Sequence, residues 1–257
     1  MVDTRETNDA QSSSMRSLER SLDVLRVLEQ SMTAKRLSEI AREAGLHVAT
    51  TQRILNALVK HDYVRQDGVT YGMGPASLLN AHAFLVSFPL LLVATPILQE
   101  LAASTEFTSS LAIRAGFWQV ILVRIEGTRP LRYQLPIGEK LPLQLGGARA
   151  LAAAMDDDEV TALLAAVGEI KTAAGDIVDP DEFRATLRQI AADGYVRGSS
   201  QRERGAASIA VPIFDRDGST IASIQLSGLE EDFATSNVPA LVAEMQRASA
   251  AITRRIP

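Results

Sequence analysis

Arg36 to Val64 reads RLSEIAREAGLHVATTQRILNALVKHDYV. Its first part, Leu37 to Glu43, has helical spacing, with Leu37, Ile40, Ala41 and Ala44 on one side. The pattern stops at Gly45, a residue type that tolerates the left-handed backbone a tight inter-helix turn needs. Leu46 follows as an apolar anchor, and a second helical pattern runs from His47 to about His61. Helix, glycine turn, helix is the arrangement of a helix-turn-helix.

At about 100° per residue the second helix divides into two faces. Val48, Thr51, Leu55 and Leu58 fall on one side, with Ile54 and Val59 at its edges. The other side collects Ala49, Thr50, Arg53, Asn56, Ala57 and Lys60, and carries no carboxylate. A DNA major groove calls for that composition. Small residues allow close approach, polar tips meet base edges, and cations meet phosphates. On this reading Thr50 and Arg53, helped by Ala49 and Gln52, contact bases, while Asn56, Lys60 and Arg65 contact phosphate. The competing reading is a solvated face on an ordinary three-helix bundle.

The flanks favour the first reading. Leu18, Leu22, Leu25 and Leu28 have helical spacing and predict a supporting first helix. Thr33 to Arg36 joins it to the next helix without a clean capping box. Downstream, Asp67-Gly68 separates two short β-prone runs, Tyr63–Gln66 and Val69–Met73, a hairpin signal. Three helices and a hairpin make a winged helix-turn-helix, with Arg65 and Gln66 on the wing.

Several ordered motifs extend this pattern. SLERSLDVLRVLEQ, LSEIAREAGLHVATTQRILNALVKHDYV and YGMGP resemble the N-terminal half of the IclR family of bacterial transcription regulators. LRYQLPIGEKLPLQ, ADGYV, RGAASIAVPIFDRDG and ASIQLSG resemble that family's effector-binding half. The resemblance runs from about Met15 to the C-terminus. It implies a GAF/profilin-like sensor domain behind the winged domain.

The chain has 257 residues, enough for two domains, and carries a formal net charge of −5. The charge is uneven. Arg16 to Gly74 holds nine basic and seven acidic residues, and is the one net-positive block; residues 75–257 hold sixteen and twenty-one. So small an excess implies a few oriented phosphate contacts and a moderate salt dependence. The sequence has no cysteine, which excludes disulfides and thiolate chemistry and fits a reducing cytoplasm. Residues 1–14 lack the apolar core of a signal peptide. The apolar run from Ala83 to Ala94 is too short to span a bilayer. A cytoplasmic protein without membrane association is expected.

Four segments are predicted: a disordered tail over 1–14, a winged helix-turn-helix domain over 15–75, a linker helix over 76–88, and an effector-binding domain over 89–257. The linker is more apolar than a free linker would be, and is expected to pack on a second copy or on the second domain. In the second domain a helix that includes Pro96 is predicted over Leu90–Ala103, with a start near that Pro as the alternative. Strands are predicted at Ser109–Arg114, Gln119–Ile125 and Leu131–Leu135. A hairpin is predicted from Ser208–Phe214 and Thr220–Leu226. Helices are predicted at Ala148–Ala154, Asp157–Ala166, Pro180–Ala192 and Pro239–Arg254. The class is therefore α/β in the α+β sense, an antiparallel sheet with flanking helices.

All three histidines, His47, His61 and His82, lie in the first third. The second domain therefore lacks a Ser-His or Cys-His nucleophile pair and an ordinary His-ligated metal site. No catalytic residue, metal or cofactor is expected. The acidic runs Asp156–Glu159 and Glu230–Asp232 read as helix starts. Gly146-Gly147 lacks the Gly-Lys-Ser/Thr of a phosphate loop. What remains is a binding pocket. Leu145-Gly146-Gly147-Ala148-Arg149 precedes a helix, and its backbone N–H groups are candidates for holding an anion. The family resemblance points to the same loop and to the strand ending Gln225-Leu226-Ser227-Gly228, where serine is usual at the position of Gln225. The predicted pocket is Leu145, Gly146, Gly147, Ala148, Gly198, Ser208, Gln225 and Ser227, polar and uncharged at its base. Arg124 and Arg132 are weaker candidates for pairing with an effector carboxylate.

The resulting expectation is a DNA-binding regulator, a repressor, whose operator affinity responds to an organic or aromatic acid in the second domain. Its partners would be double-stranded operator DNA, the small-molecule effector, and a second copy in a homodimer, with a dimer of dimers as a further form. Two other classes compete. One is a small-molecule-metabolising enzyme with a vestigial winged-helix module, which the missing His and Cys oppose. The other is a scaffold whose winged domain meets protein.

Overall fold

The structure, a computed structural model, describes residues 4–31, 33–129 and 136–256, with side chains from Met15 onward. The chain divides into two compact units between Ser87 and Phe88.

The first unit runs α1 (Thr4–Glu29), β1 (Lys35–Arg36), α2 (Leu37–Glu43), α3 (Val48–Lys60), β2 (Val64–Asp67), β3 (Thr70–Met73) and α4 (Ala76–Ser87). α1 begins at Thr4, inside the segment expected as a disordered tail, and no Gly or Pro interrupts it. Its predicted stripe is corrected. Leu18 and Leu22 are exposed, and Val24 and Leu28 are buried. Only the part of α1 from Val24 onward meets the cluster of Ile40, Leu55, Val64 and Tyr71. Burying a side chain such as Leu55 completely stabilises the unit by about 1.5–3 kcal/mol.

Gly45 has φ 65°, the left-handed turn conformation that ends α2. Half a capping box starts that helix, because the Glu39 carboxylate accepts the Arg36 backbone N–H at 2.7 Å. Ahead of it, β1 adds an unforeseen third strand to the wing, which is ordered β1-β3-β2 and antiparallel throughout.

The second unit runs α5 (Pro89–Thr105), β4 (Thr108–Ala115), β5 (Trp118–Ile125), β6 (Lys140–Pro142), a 3-10 turn (Gly146–Ala148), α6 (Arg149–Ala152), α7 (Asp157–Val167), β7 (Ile170–Lys171), β8 (Ile177–Val178), α8 (Pro180–Asp193), β9 (Val196–Ser199), β10 (Ala206–Phe214), β11 (Thr220–Leu229), α9 (Glu230–Thr235) and α10 (Val238–Arg255). Among the described residues the main sheet is six-stranded and antiparallel, ordered β6-β5-β4-β11-β10-β9. The strand expected over Leu131–Leu135, with Arg132, lies outside the described residues. α5 starts at Pro89 and includes Pro96, in line with the helix predicted over Leu90–Ala103 and not with the alternative start near Pro96. Pro89 takes the first helical position, where a missing N–H goes unmissed.

Side-chain alternation gives the sheet two faces. Ser109 Oγ donates to the Leu98 carbonyl of α5 at 2.8 Å, and Ser249 Oγ of α10 donates to the Pro212 carbonyl at 2.7 Å. The other face carries Ala112 and Ala210, which join Leu143, Leu151, Leu163 and Phe183 in one core. With both faces covered, β10 and β11 are buried along nearly their whole length. That explains their near-continuous apolar and small-residue sequence. Among the described residues no single helix is long and apolar enough to cross a membrane.

Candidate functional site

The outer face of α3 is open. Ala49, Arg53, Asn56, Ala57 and Lys60 are exposed, and Thr50 is half-buried. Thr51 and Leu55 fill the inner side. Val48, expected on that inner side, is 51% exposed. It is the first helical residue after the His47 N-cap, so it projects ahead of the core and adds an apolar tip to the outer face. Gln52 is also placed differently from its expected base-reading position. It is half-buried, and its Nε2 donates to Asn56 Oδ1 at 2.8 Å and to Tyr71 Oη at 3.1 Å. Gln52 thus braces α3 to the wing strand β3, and Asn56 is steadied by the same bond. Arg65 is exposed on β2, where its Nε lies 3.6 Å from where a Cβ on Gly72 would stand. No acidic residue occurs in α3. The face can therefore approach a polyanion without repulsion from its own helix, and its N-terminus adds the positive end of the helix dipole.

The second unit holds a half-open cavity with about 40 Å³ of free space. Six of the eight predicted residues line it: Gly146, Gly147, Gly198, Ser208, Gln225 and Ser227. Leu145 and Ala148 do not; they pack in the core behind the loop. Gly146 and Gly198 bring two backbones together, since a Cβ on Gly198 would lie 3.2 Å from the Gly146 Cα. The backbone anion site expected of this loop is corrected as well. Gly146 N–H donates to Gln201 Oε1 at 2.7 Å, and α6 behind it has four residues.

Charged residues of both signs line the cavity, Arg202 and Glu203, contrary to the uncharged base expected. Arg202 Nη2 donates to Gln119 Oε1 at 2.8 Å, to the Leu145 carbonyl at 3.0 Å and to the Pro142 carbonyl at 3.1 Å. Arg149 is buried, with Nε donating to the Gly146 carbonyl and Nη2 to the Arg197 carbonyl, both at 3.1 Å. Burial lowers its pKa from the ordinary guanidinium value. A guanidinium stays protonated nonetheless. Arg149 ties the Gly146 loop to β9 and is structural. Gln225 Oε1 accepts from Gln119 Nε2 at 3.3 Å, and its Nε2 donates to Ser227 Oγ at 3.0 Å. Arg202 and Gln119 escaped the sequence reading because each is one polar residue in a turn or strand, with nothing local to mark its partner. Arg124 is ion-paired to Glu126 at 3.1 Å and does not line the cavity.

The acidic runs are helix starts. Asp156 Oδ1 accepts the Glu159 N–H at 2.8 Å, and Glu159 Oε2 accepts the Asp156 N–H at 3.2 Å. Hydrogen bonding from Arg114 at 2.5 Å, aided by the Asp156 N–H, holds the Glu159 carboxyl below its ordinary pKa. Glu230, Glu231 and Asp232 occupy the first turn of α9. Among the described residues no group of three or more His, Cys, Asp or Glu side chains is placed to hold a metal.

The family model for the C-terminal domain of the bacterial transcriptional regulator IclR matches residues 82–254, and the IclR helix-turn-helix model matches residues 17–68. The chain belongs to the IclR family. It is 30% identical over 219 residues to the transcriptional repressor IclR of Escherichia coli K12, covering 83% of this chain and 80% of that one. The fold matches an IclR family transcriptional regulator from Brucella abortus with a TM-score of 0.79 at 24% identity, covering 94% and 92% of the two chains. It also matches an IclR homologue from Microbacterium hydrocarbonoxydans, solved in complex with 4-hydroxybenzoate, with a TM-score of 0.73 at 22% identity, covering 93% and 98%. Within the IclR architecture, α2 and α3 form the helix-turn-helix, and the glycine-lined cavity belongs to the C-terminal, effector-binding half. The chain is a DNA-binding transcription regulator of this family.

Proposed function

We propose that this IclR-family regulator is a repressor that grips operator DNA with the outer face of α3 and the wing, and releases it when an organic acid occupies the cavity of the second unit. One observation carries the DNA half. Arg53 stands exposed at the middle of a carboxylate-free face, and no hydrogen bond or ion pair engages it among the described residues. A side chain of that length and charge, flanked by Ala49, Thr50 and Ala57, suits a guanine edge in the major groove. Lys60 and Arg65 serve the phosphates, and Gln52 acts through Asn56 and Tyr71 rather than on bases.

Arg202 in the cavity supports an acid as effector, as does the 4-hydroxybenzoate complex named for the Microbacterium protein. The protein acts in the cytoplasm and is not an enzyme. Two copies pair through α4, which buries none of its residues and exposes Leu78, Leu79 and Val86. Pairing places two α3 helices on one duplex, which useful specificity requires.

A gel-shift titration with the DNA upstream of the protein's own gene tests the DNA half. Arg53→Ala is expected to weaken binding at least about tenfold, or ~1.4 kcal/mol, with the circular dichroism spectrum unchanged. Unchanged affinity would remove Arg53 from the interface.

A further inference from the structure

α10 carries two stripes. Val242, Met245, Ser249 and Ile252 are buried, and Ser249 ties the helix to β10. Glu244, Ala248, Ala251 and Arg255 form the second, at intervals of four, three and four residues. That is the spacing of a seam between two helices. The stripe lines a groove of about 340 Å³ whose other wall is α5, through Ile97, Glu100 and Ser104. Ala248 and Ala251 are half-buried and have almost no side chain, so another helix can approach closely there. The groove carries both signs of charge, Glu100 and Glu244 against Arg247 and Arg255. Glu244 accepts a hydrogen bond from Ser104 Oγ. Among the described residues none of the four charged groups is ion-paired, and Glu100, Arg247 and Arg255 are exposed.

The order of the stripe selects its occupant. Glu244 and Arg255 lie equally far from a point between Ser249 and Ala250, and so do Ala248 and Ala251. An identical helix laid antiparallel across that point sets Ala248 on the partner's Ala251 and Glu244 on the partner's Arg255, each contact made twice. The two charged ends stand roughly 16 Å apart along the helix, and both ion pairs form in the same register. A polyanion or a basic segment would meet attractive and repulsive charges in equal number, because the four charges of the groove cancel. We infer that this face of α5 and α10 is a two-fold interface between copies of the chain, with α10 antiparallel to its counterpart. The dipoles of the two helices then lie head to tail, which is favourable. This contact is separate from the pairing proposed for α4 and does not depend on it. Where both form, the assembly is larger than a dimer.

Sedimentation velocity of the purified full chain tests the interface. Glu244→Arg and Arg255→Glu, each alone, set like charges against each other twice. Each is expected to weaken this association at least about tenfold, with the circular dichroism spectrum unchanged. An equal mixture of the two single variants is expected to restore it, since each copy then meets the opposite charge at both ends. A folding defect in either variant cannot be cured by mixing. Ala248→Trp, which fills the middle of the seam without altering charge, is expected to break the same contact. A monomeric wild type overturns the inference. So do single variants that both assemble as the wild type does, or a mixture of two folded single variants that stays apart. If Glu244→Arg misfolds through loss of its Ser104 contact, Arg255→Glu and Ala248→Trp decide, and wild-type assembly in both overturns the inference. A wild-type dimer that Arg255→Glu reduces to a monomer supports this interface and removes the pairing through α4.

Discussion

Gly74 closes the wing against the end of α3. Its N–H donates to the Tyr63 carbonyl at 2.8 Å, and a Cβ there would stand 2.2 Å from the Asp62 carbonyl oxygen. Backbone cannot yield as a flexible side chain does, so Gly74→Ala is expected to destabilise the first unit by about 2 kcal/mol or more. A lower first melting transition in calorimetry, with operator affinity reduced and carboxylate binding by the second unit retained, would be the signature. Gln52 illustrates the complementary case at the same scale. Its position on the helix is evident from periodicity alone, but its amide is held by Tyr71, nineteen residues away. Spacing along a helix shows which residues share a face. It does not show which of them a neighbouring strand has already engaged.

At the scale of one element, α5 carries an avoidable break. Pro96 lies exposed inside the helix. It offers no N–H to the Leu92 carbonyl one turn earlier. Its predecessor Thr95 turns its hydroxyl to the Leu91 carbonyl at 2.7 Å. Pro96→Ala restores a backbone donor on a helix whose other face is buried through Leu90, Ala94, Ile97, Leu98 and Leu101. The expected effect is a gain of about 1 kcal/mol, after the looser unfolded chain is allowed for. A denaturant titration showing a midpoint unchanged or lowered would contradict it. The start of α5 shows why sequence patterns misplace boundaries. Both Pro89 and Pro96 fit a first helical position by local rules, and packing against β4 and β5 selects the longer helix.

For the whole molecule, regulation by a metabolite is a coupling between two sites, and coupling is reciprocal. If an acid lowers operator affinity by some factor, saturating operator must lower the acid's affinity by the same factor, with a coupling of about 1–3 kcal/mol. Titrating the acid into protein with and without an operator duplex measures it. Equal affinities in the two titrations would separate the cavity from DNA release. Raising salt is expected to weaken DNA binding more than acid binding, because exposed charges are screened more than partly buried ones.

The helix-turn-helix was legible in the sequence because its signals are short-ranged. Apolar spacing in α2 and α3, a glycine at φ 65° between them and Asp67-Gly68 in the wing each act within a few residues. The six cavity-lining residues were marked by the Gly146-Gly147 loop and by the family resemblance rather than by spacing. The charge at the base of the cavity could not be read this way. Arg202 reaches Gln119 across 83 residues and Leu145 across 57, and Gln201 caps Gly146 across 55. A chain pattern records how often a side chain faces inward, but which distant polar atoms meet there is chosen when the sheet closes. The sequence alone determined that this protein carries a DNA-reading helix and a sensor fold. Only the tertiary structure decided that the charged side chains Arg202 and Glu203 meet at the sensor's cavity.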